Sequence, residues 1–251
     1  MKQANVLGIS FVCLTGAALL KAVADSVHRG GKVLVLSGNI HSFNIAYENP
    51  AVRQLFVRAD YVRIDGEGLR LGARLLGQKL PPRATLADFI WDLAAQCEAH
   101  SFSLYLLGAA PGVAERAAAR LRERYPALRV VGVMHGFFDR DPESTGNEEV
   151  IRRINAARPN VLVVGLGMPA QENWLIANWD RLDVNVTFTG GAVFDYVAGD
   201  VRRGPRWMRD HGMEWLARLL LEPRRLARRY VVGNPLFLFR VIKQRLGWNR
   251  F

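Results

Sequence analysis

The stretch Asn160-Val-Leu-Val-Val-Gly-Leu-Gly-Met-Pro-Ala-Gln-Glu-Asn-Trp174 decides the fold of this chain. Its first five residues form an apolar, β-branched segment that is typical of a buried strand. The glycines that follow let the backbone turn sharply, and Pro169 suits the first turn of a helix. The stretch therefore predicts a strand, a tight turn and a helix, with Gln171 and Glu172 near the helix N-terminus.

A second stretch, Val184-Asn-Val-Thr-Phe-Thr-Gly-Gly-Ala-Val-Phe-Asp195, repeats this layout, and further apolar segments recur along the chain. Strands that alternate with helices are typical of a mostly parallel sheet covered on both faces. We therefore predict an α/β fold with a Rossmann-like, mostly parallel sheet and helices on both faces. The predicted strands are 6–12, 32–36, 60–64, 103–107, 128–133, 160–164 and 184–189, and the clearest helices are 15–29, 85–99, 112–124 and 147–157.

Polar or glycine-rich segments follow six of these strands. In a parallel sheet the carboxyl ends of the strands meet along one edge, and open α/β sheets bind their ligands there. The sequence therefore predicts one site built from all six segments. They are Ser37-Gly-Asn39, Asp65-Gly66, Gly108-Ala-Ala-Pro-Gly112, His135-Gly-Phe-Phe138, Gly165 to Gln171 and Gly190 to Asp195.

Positive charge is concentrated at the end of the chain. The 251 residues have a net charge of +11, and residues 202–251 hold thirteen Lys and Arg against three Asp and Glu, a net charge of +10. Such segregation indicates a surface for anions such as phosphates, nucleic acid or acidic lipids. We place a boundary near residue 200, between a core of residues 1–200 and a basic helical appendage of residues 201–251.

The run Tyr230-Val-Val-Gly-Asn-Pro-Leu-Phe-Leu-Phe239 in this appendage is apolar and aromatic, with arginines on both sides. Basic residues beside exposed Leu, Phe and Trp are typical of a segment that lies at a membrane interface. The alternative is that the run packs against the core. We favour membrane contact, and no run reaches the ~20 apolar residues of a spanning helix.

The N-terminal region imitates a secretion signal. Lys2, the apolar run from Val6 to Leu20 and Ala22-Val-Ala24 match such a signal. We favour instead a strand, a turn and a helix that ends at Gly30-Gly31, because the alternation of strands and helices continues after it. The only two cysteines have no metal-type spacing, and we expect both to be reduced and packed in a cytosolic protein.

The glycine-rich stretches resemble the signature of the WecG/TagA/CpsF glycosyltransferases. The resemblance continues through Arg203-Gly-Pro-Arg-Trp207, Glu214-Trp-Leu-Ala-Arg218, Glu222-Pro-Arg-Arg225 and Arg229-Tyr-Val-Val-Gly-Asn-Pro235, and it covers nearly the whole chain. It implies an inverting, metal-independent hexosyltransferase without a cofactor, which moves a sugar from a UDP-sugar to a sugar on polyprenyl diphosphate in exopolysaccharide or surface polysaccharide biosynthesis. It also implies a peripheral protein that contacts anionic lipid on the cytoplasmic face of the inner membrane. A homo-oligomer is compatible with this resemblance.

The resemblance leaves the donor sugar open, because relatives use N-acetylmannosamine, its uronic acid or glucose. Three segments are most similar to the xanthan-type branch, which adds glucose to a glucosyl lipid. They are Ser37-Gly-Asn-Ile-His-Ser-Phe-Asn44, Tyr61-Val-Arg-Ile-Asp65 and Leu71-Gly-Ala-Arg-Leu-Leu-Gly77. We therefore favour UDP-glucose as the donor, with the two N-acetylmannosamine-type donors as alternatives.

Asp65 is the candidate catalytic base. A carboxylate at the end of a buried strand lies next to low-dielectric surroundings, a position suited to proton transfer. An Asp-Gly turn without chemistry is the alternative. The segment Asp65-Gly-Glu-Gly-Leu69 matches the Asp-Gly segment of the family, which implies that Asp65 takes the proton from the acceptor hydroxyl.

The resemblance also implies residues that bind the two sugars. Ser37 and Asn39 match a Thr-x-Asn position of the family, with serine in place of threonine. Arg83 matches a family arginine, although the glycine that usually follows it is replaced here. Gln171 and Asp195 match polar pocket residues, for which a helix-capping or loop role is the alternative.

Backbone N–H groups and arginines are candidates for binding the phosphates of UDP. Free N–H groups at the start of a helix suit a diphosphate, and a guanidinium binds phosphate oxygens in pairs. Solvated or lipid-facing arginines are the alternative. We read Asp139-Arg-Asp141, which imitates a metal motif, as a solvated turn. The candidates are Gly108, Gly112 and Gly136, together with Arg218, Arg225 and Arg228, which the resemblance implies.

Two other classes of protein are alternatives to the enzyme. A nucleic-acid-binding protein would explain the basic tail and would bind any duplex with steep salt dependence, but it would leave the polar segments after the strands unexplained. A non-catalytic membrane scaffold would bind liposomes and release no UDP. We favour the enzyme and expect no nucleic-acid partner.

Overall fold

Six parallel strands form the centre of the protein. In chain order they are β3 (Val33–Gly38), β4 (Tyr61–Ile64), β5 (Ser103–Gly108), β6 (Arg129–Met134), β7 (Val161–Gly165) and β8 (Val186–Thr189), preceded by β1 (Lys2–Val6) and β2 (Ile9–Cys13). Their order in the sheet is β4-β3-β8-β7-β5-β6, and every neighbouring pair is parallel. The prediction of an α/β fold with a mostly parallel sheet is confirmed.

Helices fill the connections between these strands. The computed structural model describes residues 2–201, 204–205, 207–208 and 212–248, without the side chains of Lys2 and Arg225. Helices are present at all four of the clearest predicted positions, 15–29, 85–99, 112–124 and 147–157. The helices are α1 (Gly16–His28), α2 (Ile40–Glu48), α3 (Pro50–Arg58), α4 (Glu67–Leu75), α5 (Leu86–Ala99), α6 (Val113–Arg124), α7 (Thr145–Ala157), α8 (Ala170–Asn178), α9 (Val193–Ala198), α10 (Glu214–Leu221), α11 (Pro223–Ala227) and α12 (Gly233–Arg245), with short 3₁₀ and π segments at Trp179–Arg181 and Arg228–Val232.

Apolar side chains cover both faces of the sheet. Along β7, Leu162 and Val164 belong to one core, and Val161 and Val163 belong to the other, as the alternation of a strand requires. The first core includes residues of β1, β2, α2, α3, α4, α7, α8 and α12, and the second includes residues of α1, α5, α6 and α9. Burial of both faces explains why the central strands are almost continuous apolar runs.

The N-terminal strands differ from their prediction. The single strand predicted at 6–12 is wrong, because β1 and β2 form an antiparallel hairpin in which Val6 pairs with Ile9. The chain reverses at Leu7 and Gly8, whose φ angles of 54° and 74° are the left-handed values of a tight two-residue turn. Leu7 is also buried, so in the sequence this turn has the apolar character of a strand interior.

The end of the chain returns to the core. Phe237 and Val241 of α12 are buried in the first core, and a Cβ on Gly72 of α4 would lie only 2.6 Å from the Phe237 ring. The Arg240 guanidinium pairs with Glu48 at the end of α2. The apolar run for which we predict membrane contact therefore packs partly against the core. The division into domains at residue 200 stays a prediction.

Candidate active site

A large cleft opens at the carboxyl ends of the six parallel strands. Its volume is about 1810 Å³, above the ~300–1,000 Å³ that is typical of a pocket for one small ligand, so the cleft has room for two substrates. All six segments predicted to meet at this edge contribute to its wall. The contributions are Ser37 and Asn39, Asp65 and Gly66, Ala109 and Ala110, Gly136 to Phe138, Gly165 to Met168, and Gly190 to Val193 with Asp195.

C-terminal residues form another wall of this cleft. Trp215 of α10 and residues 228–230 line it. Arg83, in the loop before α5, donates from Nη1 to Glu214 Oε2 at 2.9 Å, and both side chains are largely buried. Arg83 also lines the cleft. Since Arg83 belongs to the core and Glu214 to the C-terminal region, this ion pair joins the two walls.

The candidate base, Asp65, is held by one of its two oxygens. Its side chain lines the cleft and is 28% exposed. Oδ1 accepts a hydrogen bond from Arg63 Nη1 at 2.8 Å and another from the backbone N–H of Leu86 at 3.3 Å. No group in the described part of the chain donates to Oδ2. The second oxygen is therefore left for a ligand in the cleft.

Sequence reasoning did not single out Arg63, which holds this carboxylate. The side chain lies on β4 and is only 1% exposed. Its guanidinium also donates to the Ser37 hydroxyl and to the Ala84 carbonyl. The signal that could have found it is a charged residue inside the otherwise apolar Tyr61-Val-Arg-Ile64, since a buried charge requires partners.

Three of the predicted sugar-binding residues, Ser37, Asn39 and Asp195, line the cleft, and the side chains of the first two also make hydrogen bonds within the fold. Ser37 Oγ donates to the Thr189 carbonyl at 2.8 Å, and Asn39 Oδ1 accepts from the Ser42 N–H at 3.0 Å, which caps α2. Asp195 lies in the first turn of α9. Their sugar-binding role stays a prediction that is compatible with this placement.

Gln171 and Glu172 are both buried in the first turn of α8, and among the described residues neither lines the cleft. Gln171 Nε2 donates to Glu172 Oε1 at 2.9 Å, whereas Gln171 Oε1 and Glu172 Oε2 have no hydrogen-bond partner within the described chain. Burial raises the pKa of Glu172 to about 7, although the hydrogen bond from Gln171 acts in the opposite direction. Gln171 thus lies behind the site, beside a carboxyl group that is partly protonated near neutral pH.

We expect Glu172→Gln to stabilise the protein at high pH. Because folding raises the pKa of this carboxyl, its protonated form favours the folded protein. That stabilisation is fully present below about pH 4.3, the pKa of an exposed glutamate, and is lost as the pH rises through about 7, the pKa in the folded protein. The neutral amide avoids that loss, so the free energy of unfolding should exceed the wild-type value by up to about 3 kcal/mol at about pH 8.5 and match it near pH 4. Urea unfolding at both pH values measures this difference.

Glu115→Gln is the matched control for this experiment. Glu115 also lies in the first turn of a helix, α6, but is exposed. Its replacement should leave the pH dependence of unfolding unchanged. If the free energy of unfolding of Glu172→Gln depends on pH in the same way as that of wild type, ionisation of the Glu172 carboxyl does not destabilise the protein at high pH.

Of the three predicted phosphate-binding glycines, Gly136 lines the cleft and Gly108 makes a close backbone contact. Gly108 has φ of 144° and lies against the backbone of Gly165, where no Cβ fits. Gly136 lines the cleft, and its N–H donates to the Ala109 carbonyl at 2.8 Å. Gly112 precedes α6 with φ of 83°. The turn before α6 reaches the cleft through its two alanines, while Gly108 and Gly112 are not among the described lining residues.

Two of the three predicted phosphate-binding arginines line the cleft. They are Arg218, whose guanidinium lies 5.6 Å from the centre of the Tyr196 ring, and Arg228. The side chain of Arg225 lies outside the described part of the structure. The exposed segment Asp139-Arg-Asp141 is irregular and leads into a turn at residues 142–143. Asp139 Oδ1 accepts from the Asp141 N–H, and Asp141 Oδ1 accepts from the Glu143 N–H.

His41 is a further cleft residue that sequence reasoning did not assign to the site. It lines the cleft in the first turn of α2. Burial, and then the charge of Arg229, lower the pKa of His41 to about 4. The imidazole is therefore neutral near pH 7, where it can donate one hydrogen bond and accept another.

Comparison with known proteins identifies the family. Residues 4–250 match the model of the glycosyl transferase WecG/TagA/CpsF family. The chain belongs to this family. Curated relatives from Staphylococcus aureus strains NCTC 8325 / PS 47, COL and MSSA476 are each 25% identical over 243 residues, which is 96% of this chain and 92% of theirs. Each is named N-acetylglucosaminyldiphosphoundecaprenol N-acetyl-beta-D-mannosaminyltransferase.

Membership of the WecG/TagA/CpsF family makes this protein a glycosyltransferase. The sugar that it transfers is a finer question. The S. aureus relatives are named for transfer of N-acetylmannosamine, whereas the sequence favours glucose. The comparisons therefore support the predicted family and reaction class, and they do not support the glucose donor.

Proposed function

We propose that this WecG-family protein transfers one sugar from a UDP-sugar to the sugar of a polyprenyl-diphosphate-linked acceptor, with inversion at the anomeric carbon. The observation that carries the proposal is the Asp65 carboxylate, which is held through Oδ1 in the wall of a cleft with room for two substrates. Such a carboxylate suits a general base for an acceptor hydroxyl. The acceptor in the names of the S. aureus relatives, N-acetylglucosaminyldiphosphoundecaprenol, has this chemistry.

The proposed reaction is a single displacement. The acceptor hydroxyl oxygen attacks the anomeric carbon from the face opposite UDP, while its proton passes to Asp65 Oδ2. The bond between the anomeric carbon and the β-phosphate oxygen breaks, and UDP leaves with that electron pair. Arg218, Arg228 and the backbone near Gly136 offset the charge on the departing UDP, and stabilisation of developing charge usually contributes more to catalysis than any other single effect.

Other residues of the cleft wall are assigned to binding the sugars. We assign the sugar hydroxyls to Ser37, Asn39, Arg83 and Asp195, because all four line the cleft. Gln171 supports this wall from its buried position next to Glu172.

The donor sugar is the finer part of the proposal. N-Acetylmannosamine is the first candidate, since the S. aureus relatives are named for its transfer. Glucose is the second, because the segments at 37–44, 61–65 and 71–77 are similar to the xanthan-type branch. The uronic acid of N-acetylmannosamine is the third.

Turnover with these three UDP-sugars separates the candidates. Each donor is paired with a short-chain N-acetylglucosaminyl-diphosphate lipid and with its glucosyl counterpart. We expect the highest kcat/KM for UDP-N-acetylmannosamine with the N-acetylglucosaminyl lipid, by at least about tenfold, because the site must recognise or reject a polar acetamido group. A higher value for UDP-glucose would reassign the donor, and no turnover with any pair would contradict the proposed reaction.

We also propose that α12 and α4 form one membrane-docking surface of a peripheral protein on the cytoplasmic face of the membrane. Phe239 and Ile242 of α12 and Leu246, the residue that caps its C-terminus, are exposed at a spacing that places them on one side of the helix. Leu71 and Leu75 are likewise exposed on one side of α4. Arg245 donates from Nη1 to the Leu75 carbonyl at 2.7 Å and joins the two helices.

The charge of this surface suits anionic lipid. Residues 68–82 and 223–251 contain Lys and Arg but no Asp or Glu. Leu71 and Arg74 also line the cleft, so the proposed docking surface is continuous with the cleft in which the substrates would bind. Within the described residues, every helix is too short or too polar to cross a bilayer. We therefore assign the contact to the bilayer surface, where a lipid-linked acceptor is presented.

We expect the double variant Leu71→Glu/Leu75→Glu to bind liposomes that contain anionic phospholipid at least about tenfold more weakly, because burying one leucine contributes about 1.5–3 kcal/mol. Liposome sedimentation measures the affinity. The matched control is Val57→Glu/Ile176→Glu, which alters two exposed apolar residues of α3 and α8 outside the cleft lining. The control should bind as wild type does, and equal binding by both double variants would contradict the assignment of α4 to the surface.

A further inference from the structure

We infer that Arg63 is a positioning residue that fixes the Asp65 carboxylate for proton transfer. This role rests on the proposed function, in which Asp65 is the base. Arg63 is not among the described residues that line the cleft. It therefore acts through the groups that it holds and does not contact the substrates.

The guanidinium of Arg63 is buried and uses both terminal nitrogens. Nη1 donates to Asp65 Oδ1 and to the Ala84 carbonyl. Nη2 donates to the Ser37 hydroxyl and, at 3.4 Å, to the Thr189 carbonyl. A buried charge is strongly destabilising when its partner is missing. Asp65, as the only carboxylate among these partners, is therefore bound to Arg63 by charge as well as by geometry.

These partners come from separate parts of the fold. Ser37 lies at the end of β3, Thr189 ends β8, and Ala84 lies in the loop before α5. One side chain thus fixes the base relative to two neighbouring strands and a loop that all reach the cleft. A displacement of about 1 Å in such an arrangement can reduce a rate by roughly a hundredfold.

Arg63 also determines which oxygen of Asp65 takes the proton. Oδ1 accepts from Arg63 and from the Leu86 N–H, so its lone pairs are committed. Oδ2 is the oxygen that remains for the acceptor hydroxyl. Because rotation about the last side-chain bond of an aspartate has broad minima, loss of Arg63 allows the carboxylate to turn away from the orientation in which one oxygen faces the acceptor hydroxyl.

Arg63→Met and Arg63→Lys, each made in the wild-type and Asp65→Asn backgrounds, test this role. We expect Arg63→Met to lower kcat by about a hundredfold. The Kd for UDP, measured by calorimetry, should stay at its wild-type value. Arg63→Lys should recover part of the rate, because lysine keeps the charge but lacks the two-nitrogen fork. In the Asp65→Asn background, Arg63→Met should change the residual rate by less than about threefold, since the two residues act as one unit.

Two controls separate this role from a defect in folding. Arg53→Met removes a half-buried arginine that donates to the carbonyls of Ala46 and Leu7, outside the cleft lining, and it should keep the wild-type kcat. Thermal unfolding shows whether each Arg63 variant is folded at the assay temperature. If Arg63→Met does not fold, the same comparison of both backgrounds is made with Arg63→Lys.

The outcomes distinguish this inference from the proposed function. If an Arg63 variant lowers the rate by the same factor in both backgrounds, or lowers UDP affinity in parallel with kcat, Arg63 supports the pocket as a whole and the inference is overturned. If Asp65→Asn is as active as wild type, the assignment of the base itself fails. A strongly reduced rate for Asp65→Asn, together with non-additive effects of the Arg63 variants on its residual rate, supports both.

Discussion

Asp65→Asn should lower kcat for acceptor-dependent UDP release by about 10³-fold, within the roughly 10²–10⁴-fold that a general base contributes. The amide keeps the size of the side chain and can still accept the hydrogen bond from Arg63 through its oxygen. Its second terminal atom is an NH₂ group, which cannot take the proton of the acceptor hydroxyl. Steady-state UDP release measures kcat, and calorimetry should show an unchanged Kd for UDP.

Asp60→Asn is the control for the loss of a carboxylate near the same strand. Asp60 precedes β4 at its opposite end, where Oδ2 accepts from the Leu34 N–H at 2.8 Å, and it is outside the cleft lining. This variant should turn over at the wild-type rate. A wild-type rate for Asp65→Asn as well would remove Asp65 from the mechanism and leave the fold and family unaffected.

Phe237→Ala should lower the free energy of unfolding by about 3–5 kcal/mol, the usual effect of removing a buried phenylalanine ring. Phe237 is fully buried in the first core, and its ring packs against Gly72 of α4. Its neighbours Leu236 and Leu238 line the cleft. A weakened contact between α12 and α4 should therefore also reduce turnover. Urea unfolding measures the first effect and UDP release the second.

Phe239→Ala provides an unusually close control, because it removes the same side chain two residues further along α12. Phe239 is 58% exposed, so its loss should change the free energy of unfolding by less than about 0.5 kcal/mol. Equal destabilisation by the two variants would contradict the packing of α12 against the core.

The position of the site could be predicted from local sequence. Apolar runs such as Asn160–Val164 and Val184–Phe188 predict buried strands, and the glycines that follow each of them predict tight turns. Parallel topology then requires these turns to meet at one edge. No long-range contact was needed for that conclusion, and the cleft lies at that edge.

The contacts that complete the site could be predicted only in part. Arg63 and Asp65 are two residues apart, so a strand places them on the same side, and their pairing was accessible from the sequence. The bond from Arg63 to Ser37 depends on the register of β3 against β4, which the sequence does not specify. The ion pair between Arg83 and Glu214 depends on how the C-terminal region returns to the core.

Two further details depended on features that local patterns do not show. The hairpin turn at Leu7 and Gly8 places a buried leucine at positive φ, where Asn or Gly would have marked the turn. Donor choice depends on the few contacts that recognise or reject one polar group. The Ser37-to-Asn44 segment, which favours glucose, and the S. aureus relatives, which favour N-acetylmannosamine, therefore lead to different candidates within one fold.

We propose above all that this protein transfers a sugar to a lipid-linked acceptor in its cleft. The most direct test incubates the wild-type protein with each UDP-sugar, with and without an N-acetylglucosaminyl- or glucosyl-diphosphate lipid, and follows both UDP release and the mass of the lipid. We predict that UDP release requires the acceptor and that the lipid gains the mass of one sugar residue from one donor. Folded protein that releases no UDP and leaves every acceptor unchanged, or that releases UDP at the same rate without acceptor, would contradict the account.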